Sequence, residues 1–273
     1  MLSRVLTPLI VLLLLAAPLP LQADETGDKT DRLIDLMGIE AVLRGFPEAL
    51  VQGMDEAPGA WSGDLSRDAV KELAEKHFGP EALVGDVRSL MRGKLSEEHL
   101  DAEIAFYGSN FGKRIVELEI AAADPKLEEL IREAGGELYS GLVADGSPRV
   151  AMIQKIIDAA GLVEWGMAVG MNVGYAMLTA IYGDQMSEEQ ILGFLNSNAS
   201  TLRDEMTTGL NADLAYTYRD LTDEEFQQYI DSLETPSGKA LVAAFLDAVR
   251  TSMIERSRAF GGELRVLMRQ RKS

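Results

Sequence analysis

The sequence predicts an all-α protein: two tandem homologous helical-hairpin repeats packed as a bundle or as an internal pseudo-dimer. Three observations predict it. Residues 95–142 recur at 221–268 with no gap, and 13 of the 48 aligned pairs are identical, where ordinary residue frequencies would give about 3. Four helix starts share one design of cap and staple. Elsewhere, apolar residues fall at helical rather than alternating spacing.

The repeated block is dense in helix signals. Its opening Leu95, Ser96, Glu97 and Glu98 returns as Leu221, Thr222, Asp223 and Glu224. Gly112 and Lys113 return as Gly238 and Lys239, and Gly135 and Gly136 as Gly261 and Gly262. Ser96 and Thr222 stand at N-cap positions, where a side-chain oxygen accepts a hydrogen bond from a first-turn amide. Glu98 and Glu224, with the acids before them, put negative charge at the positive end of the helix dipole. Leu95 with Leu100, and Leu221 with Phe226, form hydrophobic staples across the cap. The device returns in Met186 and Ser187 with Ile191, and in Leu65 and Ser66 with Val70. Gln190 and Glu225 complete two capping boxes; His99 and Ala69 leave the other two incomplete.

In chain order, residues 1–23 read as a secretory signal. Arg4 supplies the basic start, an apolar run follows from Val5 to Ala17, and Leu21, Gln22 and Ala23 offer a small-residue cleavage site. The run is too short, and wrongly flanked, for a transmembrane helix. Residues 24–144 then form the N-terminal repeat and 145–273 the C-terminal repeat, which ends in a basic tail. Residues 24–30 read as a loose polar leader. A helix from about Asp31 carries Leu33, Leu36, Ile39, Leu43 and Phe46, and Pro47 should break or kink it before a second segment runs to Met54.

Residues 57–64 have the composition of a loop, with Trp61 plugging the edge of the core. The next helix, from Ser66 to about Phe78, is interrupted at Gly79 and Pro80 and resumes through Leu83, Val87 and Leu90. In the first repeat a helix reaches Tyr107, turns at residues 108–110 and returns from about Phe111. In the second, Thr235 caps the return helix and Pro236 takes its first position, where the missing amide costs nothing. Asp124 and Pro125 mark a further cap and restart, and residues 144–148 have linker composition. The second half opens like the first: Ile156 to Leu162 aligns with Leu33 to Ile39, and Met177 with Met54.

Composition bounds the function. The chain has 273 residues, 47% of them hydrophobic, and no cysteine, so packing alone must hold it. A net charge of −18 removes the electrostatic case for nucleic-acid binding. Residues 162–181 carry Gly166, Gly170 and Gly174 at the spacing of packed membrane helices. However, Glu164 and Asn172 interrupt that run, and its counterpart in the first half carries Arg44, Pro47 and Glu48. It reads as the central buried helix of the second half, approached along its glycine face, with no stable membrane insertion.

The run from Leu221 through Phe226, followed by Thr235, Pro236, Ser237, Gly238 and Lys239, resembles the bacterial domain-of-unknown-function 2059 family. The first copy fits through Leu95, Ser96, Glu97, Glu98, Phe106, Tyr107, Gly112 and Lys113, with Asn110 where the family pattern has proline. The second has Ser232 and Leu233 in place of the Phe-Tyr pair. The resemblance covers the two hairpin blocks. It implies an α-helical, exported bacterial protein and carries over no catalytic residue.

Candidate chemistry is sparse. Gly112 with Lys113, and Gly238 with Lys239, fall in a first helical turn, where free amides and a lysine can hold an anion. Their surroundings have the wrong spacing for a nucleotide-binding loop and lack its Ser/Thr. The structural alternative is glycine for a close helix crossing and a lysine stem laid along apolar surface. Only His77 and His99 are available as nitrogen ligands, in no recognised metal frame. Met167, Met171 and Met177 lie in an apolar helix, where filling gaps is the ordinary use of methionine. No nucleophile-base pair is visible. Arg265, Arg269, Arg271 and Lys272 suit the negative end of a helix, or weak contact with an anionic envelope component.

These readings describe an exported protein, periplasmic or secreted, that acts as a non-catalytic helical binding protein for an unidentified protein or envelope component. They imply no cofactor, no metal and no nucleic acid. Two alternatives stand beside this: a cell-envelope hydrolase using paired carboxylates, and a small-ligand carrier with an apolar pocket between the repeats.

Overall fold

The computed structural model describes residues 20–56 and 66–270 and is all-helical over them. The signal segment up to residue 19, the 57–64 loop with Trp61, Leu65, and the terminal Arg271 and Lys272 lie outside the described residues. The chain runs α1 (Pro20–Leu36), α2 (Ile39–Leu43), α3 (Phe46–Glu56), α4 (Arg67–Phe78), α5 (Pro80–Met91), α6 (Glu97–Gly108) and α7 (Asn110–Ala122). A 3-10 turn (Pro125–Leu127) leads to α8 (Glu128–Ala144), α9 (Pro148–Ala160), α10 (Leu162–Tyr182), α11 (Glu188–Thr217), α12 (Asp223–Glu234) and α13 (Pro236–Gln270). The helices pack as a bundle.

The four repeated starts behave as their chemistry requires. Ser66, Ser96, Ser187 and Thr222 are N-caps, each accepting a hydrogen bond from the amide three residues on. The two capping boxes are closed by Gln190 Oε1 on the Ser187 amide at 2.8 Å and Glu225 Oε2 on the Thr222 amide at 2.9 Å. Leu95, Leu100, Val70, Ile191, Leu221 and Phe226 are all buried.

Helices α6 and α12 occupy the same positions of the two 48-residue blocks, and α7 and α13 begin at the same position. The blocks then diverge. Pro125 cannot continue a helix, so α7 stops at Ala122, Asp124 Oδ1 receives the Lys126 amide at 3.0 Å, and the chain restarts in α8. The second block has Arg250 and Thr251 at the equivalent positions, and α13 runs through them unbroken.

Several boundaries differ from the sequence reading. Residues 24–30 belong to α1 rather than to a loose leader, with Thr30 buried and Lys29 paired to Glu97 at 2.8 Å and Asp101 at 2.7 Å. The first helix ends not at Pro47 but at Gly38, whose φ of 65° only glycine adopts freely. Pro47 sits harmlessly in the first turn of α3. Gly161, aligned with Gly38, turns the chain into α10 in the same left-handed conformation, φ 59°.

Helix α10 is also less buried than expected. Met167, Ala176 and Ala180 are buried, but most of its residues are half-exposed. Its glycine face is indeed approached closely, by α11: a Cβ at Gly166 would stand 2.5 Å from Met206 Sδ, and one at Gly174 3.1 Å from Leu195 Cδ2. Among the described residues no single helix is long and apolar enough to cross a membrane. A bent pair, Pro148–Ala160 with Leu162–Ala180 at 54°, meets the criteria of length and composition.

The two halves interlock. Helix α8 lies on α11 so closely that a Cβ at Gly135 would fall 2.3 Å from the Ala212 carbonyl oxygen. Helix α13 lies on α10, where a Cβ at Gly261 would stand 2.8 Å from the Ala176 carbonyl oxygen. It also packs on α4, α5 and α6. Arg256 of α13 pins that contact, with Nε on Asp86 at 2.6 Å, Nη1 on the His77 carbonyl at 2.9 Å and Nη2 on the Ala82 carbonyl at 2.8 Å. One core cluster runs through α1–α6 and α13; a second gathers Ile115, the isoleucines of α9, and Tyr218, Phe226, Tyr229 and Ile230.

Candidate functional site

Between these two clusters lies a cavity of about 350 Å³, within the usual range of small-molecule sites. Both halves wall it. The first contributes Met37, Ile39 and Val42 around α2, Tyr107 of α6, and Glu119 and Ala122 of α7. The second contributes Ile156 and Ala160 of α9, Leu162 of α10, Leu214 and Thr217 of α11 with Tyr218 at its end, Tyr229 and Leu233 of α12, and Leu241, Val242, Phe245 and Leu246 of α13. Glu119 is the one charged residue on the described wall.

Helical spacing puts Glu119 there, one turn on from the fully buried Ile115. Tyr218 and Tyr229 both donate their hydroxyls to its Oε1, each at 2.8 Å. Burial drives the carboxyl above its ordinary range, against the pull of the two phenols, which favour the ionised form. The same burial, reinforced by the neighbouring carboxylate, holds Tyr218 and Tyr229 neutral far above the ordinary tyrosine range. Tyr107 is raised likewise, by burial first and then by Glu119 and Glu103.

The tyrosines are held from outside the cavity. Tyr218 ends α11 at a corner gripped by two arginines. Arg149 of α9 reaches the Tyr218 carbonyl at 3.2 Å and Asp223 at 2.7 Å, and stacks over Phe226 with 5.8 Å to the ring centroid. Arg114 of α7 holds Glu225 and donates to the Asp220 carbonyl at 2.8 Å. The Tyr218 and Tyr229 rings lie 5.4 Å apart, and Phe106 stacks on Tyr229 at 6.4 Å. This frame fixes where the two hydroxyls point.

None of the repeated cap, acid, glycine and lysine positions lines the cavity. Ser96 and Thr222 are caps, and Glu98 and Glu224 are exposed in the turns that follow. The Gly112 and Gly238 amides are taken by Ser109 Oγ at 3.0 Å and Thr235 Oγ1 at 2.9 Å. A Cβ at either glycine would meet a carbonyl oxygen of the preceding helix at 2.2 Å. Lys113 and Lys239 are exposed. Gly135 and Gly261 permit the helix contacts described above, whereas Gly136 and Gly262 face open space.

His77 lies with Nε2 3.1 Å from Glu263 and its ring edge-on to Phe260, while the His99 amide satisfies Ser96. Among the described residues no group of three or more His, Asp or Glu side chains is placed to hold a metal ion.

Sequence reasoning missed Glu119, Tyr107, Tyr218 and Tyr229. A signal existed in the mismatches of the repeat alignment, where Glu119 stands opposite Phe245, Tyr107 opposite Leu233 and Tyr229 opposite Glu103. No protein-family model, curated protein or solved structure matches this chain.

Proposed function

We propose that the protein is an exported, non-catalytic carrier that holds a small, largely apolar ligand in the cavity between its two halves. The observation that carries this is the cavity itself: an apolar wall drawn from both halves, broken by one carboxyl group and its tyrosines. Hydrolysis by paired carboxylates needs a second acid facing the first, and Glu119 is the one acid lining this cavity. The halves are read as duplicated copies meeting in an internal pseudo-dimer. Four pairs of aligned positions both line the cavity: Met37 with Ala160, Ile39 with Leu162, Tyr107 with Leu233, and Glu119 with Phe245. The resemblance to the domain-of-unknown-function 2059 family belongs to this reading, as does release into the periplasm after Ala23.

Titration with the uncharged fluorophore Nile red tests it. We expect saturable binding at one site per chain, abolished by Ala160→Phe, which fills the cavity while leaving the helical circular-dichroism spectrum unchanged. No saturable binding to the wild-type protein would overturn the reading. N-terminal sequencing of protein recovered from the bacterial periplasm should begin at Asp24; recovery in the cytoplasm alone would remove export from it.

A further inference from the structure

Three polar groups on the cavity wall have no hydrogen-bond partner among the described residues. Glu119 Oε2 makes no hydrogen bond with any described residue, because both phenols go to Oε1. The Tyr107 hydroxyl and the Thr217 hydroxyl are likewise unpaired, on side chains only 6% and 7% exposed. Groups that open on a cavity in this way take their hydrogen bonds from solvent or from a ligand. Once ionised, the Glu119 oxygen can only accept, whereas each hydroxyl can accept or donate.

Charge narrows the choice. Among the described residues the wall holds a single acid and no lysine, arginine or histidine, so a carboxylate or phosphate ligand would meet like charge without a counter-ion. Two phenols already favour the ionised state of Glu119, and a cation is the one partner that would let it remain ionised out of water. Aromatic rings beside the acid, from Tyr107, Tyr218, Tyr229 and Phe245, attract a cation through their faces. The net charge of −18 draws cations toward the molecule as a whole.

We propose that the cavity binds a small apolar primary amine in its protonated form, the ammonium group hydrogen bonding to Glu119 and the apolar body lying against Leu233, Leu241 and Phe245. This rests on the carrier reading above and names the ligand class of that same cavity.

Binding is then linked to protons. The groups facing Glu119 are Tyr107 from α6, Tyr218 from the end of α11 and Tyr229 from α12, all neutral. Helices α2, α9, α10 and α13 present apolar side chains to the cavity. The empty site keeps its carboxyl proton longer than an exposed glutamate does, and an ammonium displaces it. Affinity for the amine therefore rises as pH increases from the acid side, and falls again once the amine itself is neutral.

Isothermal titration of the mature protein with octylammonium, 1-octanol and octanoate separates the possibilities. We expect octylammonium to bind at least about tenfold more tightly than 1-octanol, from a charged hydrogen bond that the alcohol lacks, and octanoate to bind least. Glu119→Gln should cost octylammonium about tenfold while leaving 1-octanol unchanged. Equal binding of alcohol and amine, or tighter binding of octanoate, overturns the amine assignment and leaves the carrier reading standing. Failure of all three probes, together with Nile red, removes both. The wild-type comparison needs no variant, so it stands even where Glu119→Gln folds poorly.

Discussion

Glu119 and Phe245 occupy equivalent positions of the two 48-residue blocks and line the same cavity, one as a carboxyl group and the other as an aromatic ring. Identical positions such as Gly112/Gly238 and Gly135/Gly261 serve helix packing in both blocks, whereas Glu119, Tyr107 and Tyr229, which give the cavity its polarity, each stand opposite a different residue.

Glu119 should leave a signature in stability against pH. Burial raises its folded-state pKa above the unfolded value, so its contribution to stability is fully present below the unfolded pKa. That contribution is lost as pH rises through the folded pKa. Glu119→Gln removes this dependence. The variant should therefore gain on the wild type by a few degrees of Tm between pH 4 and pH 8, in thermal unfolding followed by circular dichroism. A constant difference at both pH values would contradict the assignment.

Gly38 and Gly146 separate backbone strain from crowding. Both have positive φ, 65° and 62°, but a Cβ at Gly38 would also press on Ile120 at 2.7 Å and Val116 at 2.9 Å, while Gly146 faces open space. Gly146→Ala should cost about 1 kcal/mol, from left-handed backbone alone. Gly38→Ala should cost about 2–4 kcal/mol, with the overpacking added. Urea unfolding of the two variants gives both numbers, and equal costs would refute the crowding.

The repeated Gly-Lys pairs make a sharper contrast. Gly112→Ala and Gly238→Ala drive a methyl group into a backbone carbonyl oxygen, with a loss of at least about 2 kcal/mol each. Lys113→Ala and Lys239→Ala change exposed side chains and should stay within about 0.5 kcal/mol. If the double lysine variant also retains every partner recovered by pull-down with the wild-type protein, an anion site at these helix starts is ruled out.

Arg256 fastens α13 to the first half through three hydrogen-bonded groups on α4 and α5. Lysine keeps the charge but cannot span the Asp86 carboxylate and two carbonyls at once. Arg256→Lys should lower stability by about 2 kcal/mol, seen as a lower urea midpoint. Ser252→Ala, which removes one hydrogen bond of 2.6 Å to the same Asp86, should cost about half as much.

How far the fold was legible depends on the range of the forces involved. Capping and stapling act within four residues, so Ser66, Ser96, Ser187 and Thr222 announce their helices in the sequence. Pro125 announces the break that α13 lacks. The boundary at Gly38 is harder to read, because a glycine within an apolar periodic run can continue a helix or end it, and here it takes the left-handed φ of 65° beside Val116 and Ile120 of α7. The partial exposure of α10 was misread because an apolar helix looks the same in sequence whether one face or two are covered.

The sequence by itself determined an all-helical chain with a duplicated pattern of starts, turns and glycines, since these express local backbone preferences. Only the tertiary structure decided that Glu119 of α7 meets Tyr218 and Tyr229, about a hundred residues away, beneath a wall shared by both halves. A carboxyl group on a helix reads as solvated until the helices packed around it are known. The environment that withdraws it from water, and turns its free oxygen toward a cavity, exists only once those helices have assembled.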